Sequence, residues 1–196
     1  MLRLETSKRE SNMMLRRAVL PFAVTAAFVL GGCSSLQRRA DAVSKGQVLM
    51  YNVAGSLIGT GDIWQAKNGE VHVDIATISL PAGTHGIHFH QVGKCESGTT
   101  AFSTAGGHYN PMGMEHGLQN PKGPHAGDNP NIVIPATGVG AISFTTNRVS
   151  LTPGPTTLFD SDGSSLVIHA SADDQLTNPA GNSGARIACG VVRALP

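Results

Sequence analysis

Apolar and polar residues alternate in short runs along this chain after residue 47, as in Val71-His72-Val73-Asp74-Ile75. Alternation with a period of two predicts β-strands that bury one face. Lys67-Asn68-Gly69 precedes this run and indicates a hairpin turn. The composition, with 24 Gly, 11 Pro and 5% aromatic residues, favours short strands joined by many turns. We therefore expect a single all-β domain.

Six further runs extend the same pattern, at residues 48–53, 59–65, 84–91, 141–145, 165–169 and 185–192. The pattern disappears between residues 93 and 130, a segment rich in Gly, Pro, Asn and His. A segment of about 38 residues without secondary structure inside a compact domain is usually either functional or disordered. Because several of its side chains can bind metals, the functional interpretation is favoured.

The N-terminal segment differs from the rest of the chain. Arg16-Arg17 is followed by an apolar run over residues 18–30 and then by small residues, which is typical of a signal peptide. The run is shorter than the ~20 residues that usually span a bilayer. A polar stretch ahead of the run is unusual for a signal and leaves Met13 or Met14 as alternative translation starts. A buried helix is the weaker alternative, because the segment has no polar face.

Cys33 follows Leu30-Gly31-Gly32, and the four residues resemble a bacterial lipobox. Lipidation of Cys33 would explain the odd number of cysteines, since the chain has three. Plain secretory cleavage nearby is the alternative. The sequence thus predicts a signal peptide with lipobox (1–32), a lipid-anchored polar tether (33–46) and one domain (47–196). We expect an exported protein, anchored by lipid to the cell-envelope membrane and, in a Gram-negative cell, periplasmic.

The charge of the chain does not favour nucleic acid as a partner. Of the 14 Lys and Arg residues, five lie in the predicted leader, together with two of the 13 acidic residues. The mature chain would therefore carry a formal charge near −2. Its basic residues form no cluster dense enough to follow a phosphate backbone.

Two histidines lie two positions apart on one predicted strand, in His88-Phe89-His90. Residues i and i+2 of a strand point to the same face, so the two imidazoles form a bidentate platform for a metal. Taken alone, this motif is equally typical of two surface or core histidines.

The long segment carries a stronger signal, because it combines three imidazoles with one carboxylate. These residues are His108, His116, His125 and Asp128. Three His and one Asp form a closed tetrahedral zinc set. Metal binding would also order a segment that has no core of its own. The alternative, four solvated polar side chains, is weaker. His72 and His85 stand apart from these groups and are assigned structural roles.

Five motifs, in this order along the chain, resemble those of the copper/zinc superoxide dismutase family. They are His85-Gly86-Ile87-His88-Phe89-His90, Ala105-Gly106-Gly107-His108-Tyr109-Asn110-Pro111, His125-Ala126-Gly127-Asp128, Leu166-Val167-Ile168-His169 and Gly184-Ala185-Arg186-Ile187-Ala188-Cys189-Gly190. The resemblance runs from about residue 47 to residue 192. It implies an eight-stranded Greek-key sandwich or barrel, immunoglobulin-like in architecture, with a long metal-binding loop.

The resemblance also implies two sets of metal ligands. Copper would be held by His88, His90, His108 and His169, and zinc by His108, His116, His125 and Asp128. His108 would therefore bridge the two metals. Four imidazoles suit Cu(II), whereas three imidazoles and a carboxylate suit redox-inert zinc.

Further roles follow from the same resemblance. Arg186 resembles the family's substrate-guiding arginine, whose guanidinium stays charged and can bind an anion. Asp173 resembles a carboxylate that bridges a copper histidine and a zinc histidine and fixes their orientation. Cys95 and Cys189 resemble the pair that forms the family's disulfide within one subunit.

The activity implied is the disproportionation of superoxide to oxygen and hydrogen peroxide by copper redox cycling, with Arg186 and His108 as catalytic residues. A metal buffer or delivery lipoprotein without turnover is the rival interpretation, and a structural lipoprotein on a degenerate scaffold is a weaker one. The sequence is compatible with a monomer or a homodimer. It departs from the family between residues 170 and 185, which contain no Lys or Arg.

Overall fold

The computed structural model of the protein describes residues 39–196, which lie in one compact unit. The predicted signal peptide, the lipidation site Cys33 and the first part of the tether lie outside the described residues. Within the described part of the chain, no helix is both long enough and apolar enough to cross a membrane.

The described part of the chain contains nine strands, and their bounds are β1 Ser44–Asn52, β2 Leu57–Gln65, β3 Val71–Thr77, β4 Gly83–His85, β5 Ile87–His90, β6 Ile132–Ile134, β7 Gly140–Thr146, β8 Ser165–His169 and β9 Arg186–Ala194. Seven of them form one curled antiparallel sheet in the order β5-β8-β9-β1-β2-β3-β7, and β4 pairs with β6. The all-β prediction is confirmed.

The alternating pattern separates the core from the surface. Along β3, Val71, Val73 and Ile75 are buried, whereas His72 and Asp74 are partly exposed. The buried residues join a single large cluster with apolar side chains from the other strands of the sheet. Each such side chain contributes about 1.5–3 kcal/mol on burial, so this cluster stabilises the frame that carries the polar site.

The predicted strand over residues 84–91 is two strands, β4 and β5, and β6 matches none of the seven predicted runs, so residues 39–196 contain nine strands where the resemblance implies eight. The break falls at Gly86, whose N–H donates to Ser171 O and whose carbonyl accepts from His169 N. A Cβ at Gly86 would lie 3.0 Å from His88 and from Ser183. The close approach of these neighbours redirects the chain, so that β4 and β5 pair in different sheets.

The first strand begins at Ser44, three residues ahead of the expected domain start, because Ser44 pairs with Gln65 of β2. The preceding residues also contact the sheet. Arg39 makes an ion pair of 2.6 Å with Asp62, and its guanidinium lies 5.8 Å from the centre of the Trp64 ring. The end of the predicted tether is therefore packed on the domain.

The long segment between β5 and β6 contains only one 3₁₀ turn, Ser103–Ala105. Backbone hydrogen bonds attach it to the sheet at Phe89, whose N–H donates to Gly127 O and whose carbonyl accepts from Tyr109 N. The Tyr109 hydroxyl donates to Thr157 O at 2.7 Å. These contacts hold the histidine-rich segment against the strand that carries His88 and His90.

Candidate metal centre

Strands β5 and β8 present the first histidines of the site. His88 and His90 lie two residues apart on β5 and are fully buried. His169 ends the neighbouring strand β8, just after a register shift between Ile168 and His169. The strand period and this shift direct all three imidazoles into the same space.

In the described part of the chain, two groups of four metal-binding side chains are brought together, each with its ligand atoms within 4.8 Å of one another, and a smaller third group consists of His88, His116 and Asp173. The first consists of His88, His90, His108 and His169, and the second of His108, His116, His125 and Asp128. We call them the tetra-histidine group and the zinc-type group. They contain the same residues as the ligand sets that the sequence predicted.

Hydrogen bonding fixes which nitrogen of His88 is free to bind a metal. Its Nε2–H donates to Asp173 Oδ2 at 2.7 Å, so Nδ1 carries the lone pair. That Nδ1 is buried and has no hydrogen-bond partner. A buried acceptor without a partner is costly, and a metal ion among the four imidazoles would satisfy it.

The same reasoning applies to His90 and His169. The Nδ1–H of His90 donates to Gly106 O at 3.0 Å, and the Nδ1–H of His169 donates to Gly184 O at 3.2 Å. The two Nε2 atoms then face each other as lone pairs, 3.4 Å apart. Two lone pairs at this distance repel unless a cation lies between them, so the donor set fits a metal ion such as copper.

The zinc-type group is centred on one oxygen of Asp128. Oδ1 lies 2.9 Å from His108 Nδ1, 3.0 Å from His116 Nδ1 and 3.4 Å from His125 Nδ1. Oδ2 accepts hydrogen bonds from the backbone N–H groups of Gly117 and His125 at 2.8 and 2.9 Å. Three nitrogens and a carboxylate oxygen converge, as in a closed tetrahedral zinc site.

His108 belongs to both groups. Its Nδ1 faces Asp128, while its Nε2 is buried without a partner on the side of the tetra-histidine group. The ring also stacks on His88, with 4.0 Å between the ring centres. One imidazole can therefore present a nitrogen to each of two metal ions.

Asp173 links the two groups through hydrogen bonds to one histidine of each. Its Oδ2 accepts from His88 Nε2 at 2.7 Å, and its Oδ1 accepts from His116 Nε2 at 3.0 Å. Asn131, which sequence reasoning missed, holds the Asp173 backbone with two hydrogen bonds of 2.8 and 2.9 Å. No spacing in the sequence marks Asn131 for this role.

Burial keeps most of these imidazoles neutral. Burial lowers the pKa of His88 and of His90 below the usual histidine value. It lowers the pKa of His108 to about 4 and the pKa of His169 to about 3. A neutral imidazole offers its lone pair, so the tetra-histidine group is ready for a metal at neutral pH.

His116 behaves differently in the metal-free protein. Burial lowers its pKa, but hydrogen bonds to Asp128 and Asp173 outweigh this effect and raise the pKa to about 9. Burial raises the pKa of Asp128, but hydrogen bonds from His108, His116 and His125 outweigh burial and hold this pKa far below its usual range. A metal that enters the zinc-type group must therefore displace a proton from His116.

Arg186 lies at the mouth of the tetra-histidine group. Its Nη1 donates to Phe102 O at 2.7 Å and its Nη2 to Gly106 O at 2.5 Å. It lines a cavity of about 500 Å³ together with His90, His108 and His169. Because the Gly106 carbonyl also accepts from His90, one carbonyl positions both the guanidinium and an imidazole of the site.

The two remaining histidines in the described part of the chain lie outside both groups. His85 places its Nδ1 2.8 Å from His169 O and its Nε2 3.0 Å from Pro81 O. His72 stacks on Trp64, with 4.9 Å between the ring centres. Both positions agree with the structural roles expected for them.

Cys95 and Cys189 form a disulfide with 5.6 Å between their Cα atoms, which confirms the predicted pairing. Cys189 is buried in a small apolar cluster that also contains Phe102, Ala105 and Val167. The bond ties the segment that carries the Phe102 and Gly106 carbonyls to β9, the strand that begins with Arg186.

Replacing both cysteines by serine should lower the free energy of unfolding by about 4 kcal/mol, because the bond closes a loop with a sequence separation of 94 residues. Urea unfolding of the metal-free mature protein, which includes residue 33, measures this loss, with Cys33→Ser as the control that keeps the disulfide. Equal stability of the double variant and the control would contradict a stabilising role.

Comparison with known proteins places these residues in a family context. Residues 57–192 match the family model described as copper/zinc superoxide dismutase. The chain is 40% identical over 151 residues to superoxide dismutase [Cu-Zn] 2 of Aquifex aeolicus, covering 76% of this chain and 86% of the relative. It is 42% identical over 159 residues to superoxide dismutase [Cu-Zn] of Deinococcus radiodurans, covering 74% and 82%.

A solved structure is similar to this chain in both fold and sequence. The crystal structure of a double mutant of a SOD-like protein from Bacillus subtilis matches with a TM-score of 0.70 and 41% sequence identity. The match covers 74% of this chain and 95% of the other. The similarity thus extends over nearly the whole length of that protein and over most of the described domain.

Proposed function

The chain belongs to the copper/zinc superoxide dismutase family, and we propose that it disproportionates superoxide through copper redox cycling at a histidine-bridged pair of metals. The observation that carries this proposal is the position of His108. Its Nδ1 faces the zinc-type group, and its Nε2 is buried without a partner beside the tetra-histidine group. A protein that only stored metals would not need one imidazole shared between two sites.

We assign copper to the tetra-histidine group and zinc to the zinc-type group. The orphaned nitrogens of His88 and His108, and the facing lone pairs of His90 and His169, fit a nitrogen-seeking cation. Bound copper would supply reversible one-electron chemistry, and bound zinc would supply positive charge without redox change.

The chain's own residues supply binding, orientation and proton handling. The disproportionation of two superoxide ions consumes two protons and yields oxygen and hydrogen peroxide. His108 can hold one proton at Nε2, the nitrogen on the copper side, while its Nδ1 stays directed at the zinc-type group. Arg186 attracts the anion and can donate hydrogen bonds to it. Asp173 keeps the rings of His88 and His116 in the orientation that ligation requires.

Metal analysis of the purified protein, combined with a superoxide-decay assay, tests this function. We expect copper and zinc in equal amounts and fast, metal-dependent decay. His72→Gln is the matched control, because His72 lies outside both groups and its loss should leave metal content and rate unchanged. Full occupancy of both metals without turnover would favour the metal-buffer interpretation.

The enzyme would act in the cell envelope, held there by a lipid on Cys33. The lipobox sequence before this cysteine supports the proposal, and Ser34 resembles the residue that sorts lipoproteins to the outer membrane of Gram-negative cells.

Cys33→Ser should release the protein from the membrane fraction, because it removes the atom that carries the lipid. Its rate per copper should be unchanged, since the described domain and its Cys95–Cys189 disulfide do not involve Cys33. Fractionation followed by immunoblotting measures the release. Continued retention of the variant in the membrane fraction would count against lipidation.

A further inference from the structure

Arg148 is a partly buried cation that neither metal group uses directly. It follows β7, and its Nη2 donates to the backbone carbonyl of Asp128 at 2.6 Å. Its Nε is buried without a hydrogen-bond partner.

A guanidinium in this position is costly to keep. A buried donor without a partner is destabilising, and apolar replacements for buried charges are often neutral or stabilising. Burial lowers the pKa of Arg148, and the charge of Asp128 opposes this shift. The group that Arg148 contacts is the backbone carbonyl of Asp128, whose carboxylate lies at the centre of the zinc-type group.

The hydrogen bond from Arg148 adds to the contacts that hold Asp128 in place. Its Oδ2 is held by the N–H groups of Gly117 and His125, both from the same long segment. Among residues 39–196, the Asp128 carbonyl accepts its hydrogen bond from Arg148, which follows the end of β7 at the far edge of the main sheet. On its other side this backbone is already held to β5, because Gly127 O accepts from Phe89 N and Asp128 pairs with His88. The Arg148 contact adds a second attachment, to the end of β7, and so limits how far the Asp128 carbonyl can move.

We propose that Arg148 is a positioning residue for zinc, which fixes the backbone of Asp128 so that Oδ1 stays within reach of the three Nδ1 atoms. This inference rests on the proposed assignment of zinc to that group. Outer partners of metal ligands typically change metal affinity by about 10- to 100-fold when they are removed. We expect a loss in this range for zinc and little change for copper.

Arg148→Met tests the proposal, because methionine keeps much of the apolar volume and removes every donor. Zinc affinity of the metal-free, disulfide-bonded mature protein is measured by competition with a chelator, and Co²⁺ provides a visible spectrum that reports ligand geometry. We expect at least ~10-fold weaker zinc binding and an altered Co²⁺ spectrum. Arg148→Lys, which keeps one charged donor, should restore part of the affinity.

Two control variants separate positioning from general damage. Arg193→Met removes an exposed arginine of β9, and Asn147→Ala changes the exposed neighbour of Arg148. Both should keep wild-type zinc affinity. Urea unfolding of each metal-free variant shows whether zinc affinity falls more than stability does. If Arg148→Met does not fold, Arg148→Gln replaces it, since glutamine is uncharged and too short to keep the contact.

Unchanged zinc affinity and an unchanged Co²⁺ spectrum in the folded variant would overturn the proposal. So would an equal loss of copper and zinc affinity in parallel with lower stability, because that pattern indicates a purely structural arginine. If the wild-type protein binds zinc but does not consume superoxide, the proposed function fails while the role of Arg148 in zinc binding remains testable by the same measurements.

Discussion

His108→Ala is expected to reduce superoxide turnover by about 100-fold or more, the range found when a positioned proton donor is removed. Alanine removes the buried Nε2 from the tetra-histidine group and the Nδ1 that faces Asp128 at 2.9 Å. Each group keeps three of its four ligands, so we expect weaker retention of zinc as well as copper.

Pulse radiolysis and metal analysis of the same preparations measure these two losses. His85→Gln is a demanding control, because His85 is buried beside the site and contacts the backbone of His169 but belongs to neither group. It should keep both metals. If His108→Ala retained near-normal turnover and both metals, the two sites would not share a bridging imidazole.

Residue patterns predict the local part of this architecture. The period of two in residues 71–75 identifies β3 and its buried face, and the same period places the imidazoles of His88 and His90 on one side of β5. These predictions succeed because a strand's backbone geometry fixes where successive side chains point.

The parts that sequence patterns missed depend on contacts between distant segments. Gly86 ends β4 because Ser171 and Ser183 approach it closely, which no local pattern reveals. Asn131 reaches the Asp173 backbone across 42 positions, and Arg148 reaches the Asp128 carbonyl across 20. Such partners carry no periodic signal, because their role depends on the tertiary path of the chain.

The absence of lysine and arginine between residues 170 and 185 makes Arg186 the main candidate for attracting the substrate. It is the charged side chain that lines the 500 Å³ cavity beside the imidazoles. Lys122 lies on the long segment, but it is 3.3 Å from Glu115 and largely exposed, so its field is partly cancelled. Lys94 is exposed and does not line that cavity. Exposed charges farther away than about 8 Å are screened at physiological ionic strength.

Arg186→Ala should therefore lower the second-order rate constant by about 10-fold or more at low salt, the scale of electrostatic steering into a charged cleft. Lys94→Gln and Lys122→Gln should each have smaller effects that shrink as salt increases. Arg186→Lys keeps the charge but cannot reproduce the two hydrogen bonds to Phe102 O and Gly106 O, so an intermediate rate is expected. Pulse radiolysis across ionic strength, with copper and zinc occupancy confirmed for each variant, provides the rates. An unchanged rate in fully metallated Arg186→Ala would remove this residue from substrate capture and leave the metals as the main source of attraction.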